Sequence, residues 1–180
     1  METALQTTMQ LIALSWDKRL PPTHAKLQAM LFYLQGWSKV LYGEWYFSDT
    51  METAEDGPFV RTVLDEYGYF GRRPIALDYP IAKTDDLLIH VVVKVYGAKN
   101  EGELQQQAKE DAQHFALEDR QQMATFFADP ALMKTAVHAE FIDLFRAKKY
   151  NIIHWQPPAP TPGDIVEFEN SHWLIQPALA

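Results

Sequence analysis

Apolar side chains recur along much of this chain at spacings of three and four, the signature of amphipathic helices. Over residues 4–15, Leu5, Met9, Ile12 and Ala13, with Leu11 and Leu14 beside them, predict a first helix that Pro21 and Pro22 end. Thr23 is placed to cap a second helix over about 24–41. In that helix Leu27, Met30, Leu31, Leu34 and Leu41 form one stripe, while Phe32, Tyr33, Trp37 and Val40 carry apolar surface around the rest of the circumference. A helix apolar on most sides is a buried one, so this segment is expected to be central. Gly43 supplies its stop. Gly36, inside it, costs helix propensity and suggests close approach by another element.

The pattern breaks over 44–56, where Trp45, Tyr46 and Phe47 sit near acidic residues and a short strand or irregular segment is expected. Pro58 suits the first turn of a further helix, with Phe59, Val63, Leu64 and Tyr67 on one face and Gly68 at its end. A loop containing Pro74 and Pro80 follows over 69–82. Thr84, followed by Asp85 and Asp86, marks another helix start. Leu87, Leu88, Val91, Val92 and Val95 then keep helical spacing, with a buried strand as the alternative for this β-branched run. A polar helix over 100–113 and two more over 117–127 and 129–148 complete the domain, with Phe126, Phe127, Leu132, Val137, Phe141, Leu144 and Phe145 as core candidates. Beyond 150 a short strand over 151–155, a connector carrying Pro157, Pro158, Pro160 and Pro162, and a hairpin pairing 165–168 with 172–175 are expected. The fold class is therefore mainly α: a compact multi-helix domain over 1–150 around a buried central helix. A small β element is placed in a C-terminal hairpin, within a tail over 151–180 that packs on the same domain.

With 180 residues, 47% of them hydrophobic, the chain can bury a substantial core as one domain. A net charge of −8 argues against a general nucleic-acid-binding surface and suits a basic protein partner. The absence of cysteine excludes disulfides and thiolate metal sites. Glu2, Gln6 and Gln10 interrupt what would be a signal peptide, and no run approaches the roughly 20 apolar residues of a membrane span. A soluble cytoplasmic protein is expected.

Motifs for catalysis are missing: the chain has no phosphate-cradling loop, dinucleotide fingerprint or nucleophile elbow. Its histidines, His24, His90, His114, His138, His154 and His172, form no His-Glu-x-x-His. His138-Ala139-Glu140 matches half of a zinc-deaminase signature whose other half needs cysteines. Asp85-Asp86 and Glu110-Asp111 are adjacent pairs, which diverge by about 100° on a helix. No catalytic, cofactor-binding or metal-ligating set is assigned. Two alternatives remain: a hydrolase in which two or more of His90, His114 and His138 meet a carboxylate, and a phage structural or assembly component. Trp45, Tyr46 and Phe47, outside the main helices, are candidate interface anchors, the alternative being that they pack over the end of the central helix. With Glu55, Asp56 and Phe59 they make up the candidate partner-binding set.

Lys26, Leu27, Gln28, Leu31, Tyr33, Gln35, Gly36 and Trp37, then Leu41-Tyr42-Gly43, Phe47 and Gly57-Pro58, follow one another in an order and spacing that resemble the Panacea domain family of prophages and toxin–antitoxin loci. Tyr96-Gly97 and the polar helix holding Glu103-Leu104 extend the resemblance over about 5–127. Ser38, and Ala54, Glu55 and Asp56 before Gly57-Pro58, depart from the family pattern. The resemblance implies an antitoxin-like protein that neutralises a partner toxin by direct binding, in some members as an adaptor for proteolysis, without cofactor, nucleic acid or membrane.

Overall fold

The second helix forms where the apolar pattern places it. In the computed structural model, which describes residues 1–77 and 84–154, the Thr23 side chain accepts from the Lys26 amide and opens α2 (His24–Tyr42). Gly43 closes it at φ 78°, a left-handed conformation that glycine adopts without Cβ strain. Helix α1 (Ala4–Asp17) precedes it, opened by a reciprocal Thr3–Gln6 capping box. Helix α2 is buried along residues 27–38. Around it pack α1, α3 (Arg61–Tyr67), α4 (Leu87–Val95), α5 (Glu101–Ala112) and α6 (Arg120–Ala128), while α7 (Ala136–His154) packs against α4. The helix favoured at residues 87–95 is the one observed. Among the described residues no helix is long and apolar enough to cross a membrane.

The β element lies in the middle of the described chain. Strands β1 (Met51–Ala54) and β2 (Gly57–Val60) pair antiparallel with Met51 opposite Val60 and Ala54 opposite Gly57. Glu55 and Asp56 form the two-residue turn, and Gly57 takes φ 121°. Asp-Gly is a strong hairpin signal, and here it overrides the helix start expected at Pro58: Pro58 and Phe59 are strand residues and α3 begins at Arg61. Gly68 does not stop that helix in a left-handed turn; the chain tightens into a 3-10 turn over Gly68–Phe70.

Two other boundaries move for identifiable reasons. Asp86, not Thr84, caps α4, accepting from the amides of Leu88 at 2.7 Å and Ile89 at 3.4 Å, while Thr84 Oγ1 accepts from the Asp86 amide. The single helix expected over 129–148 is a 3-10 turn, Pro130–Lys134, followed by α7. Helix α7 runs on through His154, so residues 151–154 are helical rather than the strand expected there. The proline-rich connector and the hairpin over 165–175 lie outside the described residues.

The core is aromatic. Phe32, Tyr33, Trp37, Tyr96, Phe127, Phe141 and Phe145 are all fully or almost fully buried. The Phe127 ring lies directly over Gly36, where a Cβ would stand 2.2–2.4 Å from three ring carbons. That is the close approach the helical glycine suggested.

Candidate partner-binding groove

The polar residues of α2 point inward and organise the chain that follows it. Residues 44–60 run back along α2, fastened at three points. Ser38 Oγ donates to the Glu44 carbonyl at 2.8 Å. Gln35 Oε1 accepts from the amides of Tyr46 and Phe47 at 2.8 and 3.1 Å, and its Nε2 donates to the Phe47 carbonyl at 2.9 Å. One heptad earlier, Gln28 Oε1 accepts from the Val60 amide at 2.8 Å and its Nε2 donates to the Val60 carbonyl at 3.3 Å. In a two-residue hairpin closed by Ala54 and Gly57, the Met51–Val60 pair is non-hydrogen-bonded, so the peptide groups of Val60 face away from β1. Gln28 therefore takes the place of a third strand.

A second set of motif residues builds a sealed polar chain between helices. Trp37 Nε1 donates to the Tyr96 hydroxyl at 2.8 Å, that hydroxyl lies 2.9 Å from His138 Nδ1, and His138 Nε2 lies 2.9 Å from Asp111 Oδ2. Tyr33 donates to the same carboxylate oxygen at 2.7 Å. Because the indole only donates, a neutral His138 accepts from Tyr96 at Nδ1 and donates to Asp111 from Nε2. Tyr33 and Tyr96 stack at 4.2 Å. Burial drives both phenols well above their ordinary pKa, with Asp111 adding to the effect. His138, Tyr33 and Tyr96 are all 0% exposed. The chain thus joins α2, α4, α5 and α7 in the interior. Lys26, the remaining polar motif residue, reaches across to the Gly97 carbonyl at 2.9 Å.

The histidines do not gather as the hydrolase alternative requires. His90 Nε2 bonds the Thr84 carbonyl, His114 stacks on Phe126, and only His138 meets a carboxylate. Among the described residues no group of three or more histidines and carboxylates is arranged to hold a metal ion.

The candidate partner-binding residues separate into two places. Phe47 is withdrawn from the surface: it is fully buried, held by Gln35, as the packing alternative had it. Trp45 is half-buried, with Lys39 and Arg120 over its ring at 5.6 and 5.4 Å. The hydroxyl of Tyr46 donates to Asp86 Oδ2 at 3.0 Å, and burial together with Asp86 raises its pKa strongly. Both residues flank the C-terminal end of α2. Asp56 and Phe59 lie toward its N-terminal end, beside His24, Ala25 and Gln28. There they line a groove of about 230 Å³ between α2, the hairpin and α5. Ala25, Ala54, Pro58 and Leu64 supply its apolar wall, and Glu55 is exposed in the adjoining turn.

His24, which the sequence did not single out, stands at the groove with a defined protonation state. The Gln28 amide is oriented by Val60, so its Nε2, 3.0 Å from His24 Nε2, is the donor. His24 Nε2 accepts, which leaves its proton on Nδ1 and the ring neutral. Burial lowers its pKa, in keeping with that state. The sequence signals for this site were Asp56-Gly57 and the seven-residue spacing of Gln28 and Gln35.

Comparison of the chain with protein families, curated proteins and solved structures returns no match.

Proposed function

We propose that this protein works by contact: an antitoxin-like regulator that binds and neutralises a partner toxin in the cytoplasm, by covering it or by delivering it to a protease as an adaptor. The observation that carries this reading is the groove at the start of α2, lined by Asp56 and Phe59. At about 230 Å³ it is smaller than the roughly 300–1,000 Å³ of typical small-molecule sites and suits a single side chain of another protein. Such pockets hold the anchors that dominate protein interfaces. A stable complex needs about 1,200–2,000 Å² of total buried surface, so the partner would extend beyond the groove onto the hairpin and α3. The resemblance in residues 25–60 supports the antitoxin role, and its polar positions are occupied in building the scaffold that presents this surface.

Co-expression with the product of each adjacent gene tests the reading. Growth rescue of one toxic neighbour, together with co-purification of the two proteins, is the expected outcome. Failure to rescue any growth-inhibiting neighbour contradicts it.

A further inference from the structure

We infer that the groove takes a cationic polypeptide segment that inserts one aliphatic side chain between basic neighbours. This rests on the protein-binding reading and specifies the occupant. The groove's apolar lining is formed by Ala25, Ala29, Ala54, Pro58, Phe59 and Leu64. Its volume of about 230 Å³ fits one aliphatic side chain and leaves no room for a helix face.

Charge sets the class of segment. Residues 49–67, which include the hairpin and α3, hold Asp49, Glu52, Glu55, Asp56, Asp65 and Glu66 against one cation, Arg61, so they carry −5 of the chain's net −8. Asp56 lines the groove, Glu55 precedes it in the turn, and Asp65 and Glu66 follow the lining residue Leu64. From α5, Glu101 stands one turn before the lining residue Gln105. The nearby cations are engaged: Arg61 pairs with Glu52 at 2.9 Å and lies 4.8 Å over the Phe59 ring, and Lys26 bonds the Gly97 carbonyl. Lys109, on α5, is a further cation beside the hairpin, its backbone and Cβ lying next to Gly57, against the six carboxylates of residues 49–67. An apolar pocket in an acidic surround attracts basic segments and repels acidic ones.

Polar groups at the groove also limit how the segment binds. The outer edge of β2 offers no open ladder, because Pro58 lacks an amide hydrogen and Gln28 satisfies Val60. Recognition must therefore come from the inserted side chain and flanking charges rather than from strand addition.

The test is a titration of the ¹⁵N-labelled full chain with three capped peptides, followed by amide chemical shifts. Lys-Arg-Leu-Arg-Lys is expected to move the signals of Ala54, Gly57, Phe59 and the Gln28 side chain, with an affinity that falls about fivefold or more between 50 and 300 mM salt. Replacing its leucine with serine should weaken binding about tenfold, and Glu-Asp-Leu-Asp-Glu should leave the signals unmoved. Ala54→Arg, at an exposed position, should abolish the effect, and Asp56→Asn should weaken it. Equal response to the serine or acidic peptide, shifts spread away from the groove, or no response at millimolar peptide overturns the inference. Rescue of a toxic neighbour without peptide binding would place the interface elsewhere and leave the protein-binding reading standing. Peptide binding without rescue would leave the groove's occupant as inferred and overturn the antitoxin role.

Discussion

A methyl group on Gly36 would stand 2.2–2.4 Å from the Phe127 ring, which is itself hemmed in by Phe32, Tyr33 and Trp37. Alanine improves helix propensity by about 1 kcal/mol, but overpacking a tight core costs about 1–3 kcal/mol. Gly36→Ala is therefore expected to destabilise the fold, seen as a lower urea midpoint at unchanged m. At His24 the prediction concerns pH. The folded-state pKa is lowered by burial, so below about pH 6.5 the unfolded chain takes up a proton that the folded one resists. Stability from this group is complete above that pH and declines as pH falls toward the folded pKa. In an NMR titration the His24 ring should protonate below the free-histidine value, and His24→Gln should flatten the stability slope between pH 7.5 and 5.5. A titration at or above the ordinary value would contradict the neutral, accepting ring assigned here.

At the scale of elements, the glutamines of α2 decide the path of the chain after Gly43. Gln28→Ala or Gln35→Ala removes a side chain that satisfies both peptide groups of Val60 or of Phe47. Leaving a buried backbone group unpaired costs about 1–3 kcal/mol. Each variant should lose stability in that range, and hydrogen exchange should quicken at Val60 for the first and at Tyr46 and Phe47 for the second, ahead of the helical core. Most helices were legible because their apolar periodicity and caps are local: Thr23 and Gly43 bound α2 as expected. The sequence is ambiguous at the hairpin because Pro58 suits the first turn of a helix while Asp56-Gly57 beside it suits a turn between strands. What holds β2 extended is Gln28, 32 residues away from Val60, a contact that no local pattern carries. Of the two readings of Phe47, interface anchor or packing over the central helix, burial decides for packing, and it depends on Gln35, a contact made across the fold.

Across the whole molecule, His138 joins α7 to the helices before it. It touches Tyr96 at the C-terminal cap of α4 and Asp111 of α5, and Asp111 also accepts from Tyr33 of α2. His138→Ala would take one donor from the Asp111 carboxylate, which keeps Tyr33 and Gln107, and would leave the buried Tyr96 hydroxyl without its acceptor, a loss of about 1–3 kcal/mol. Thermal unfolding of that variant should begin well below the wild type, whereas His114→Ala, at an exposed ring, should change little. In the sequence His138 stood among candidates for dispersed catalysis; its partners lie 27 and 42 residues away and only the fold unites them. Lys26, Gln28, Tyr33, Gln35, Gly36 and Trp37 thus largely account for the scaffold. The groove is built on that scaffold from Ala54, Asp56 and Phe59.

The central claim is that this surface grips another protein. Its most direct test is isothermal titration calorimetry of the full chain against any neighbour-encoded protein whose toxicity co-expression relieves, with wild type and Ala54→Arg compared side by side. The prediction is binding at least about tenfold weaker for the variant at an unchanged melting temperature. Equal affinity of the two proteins would contradict it.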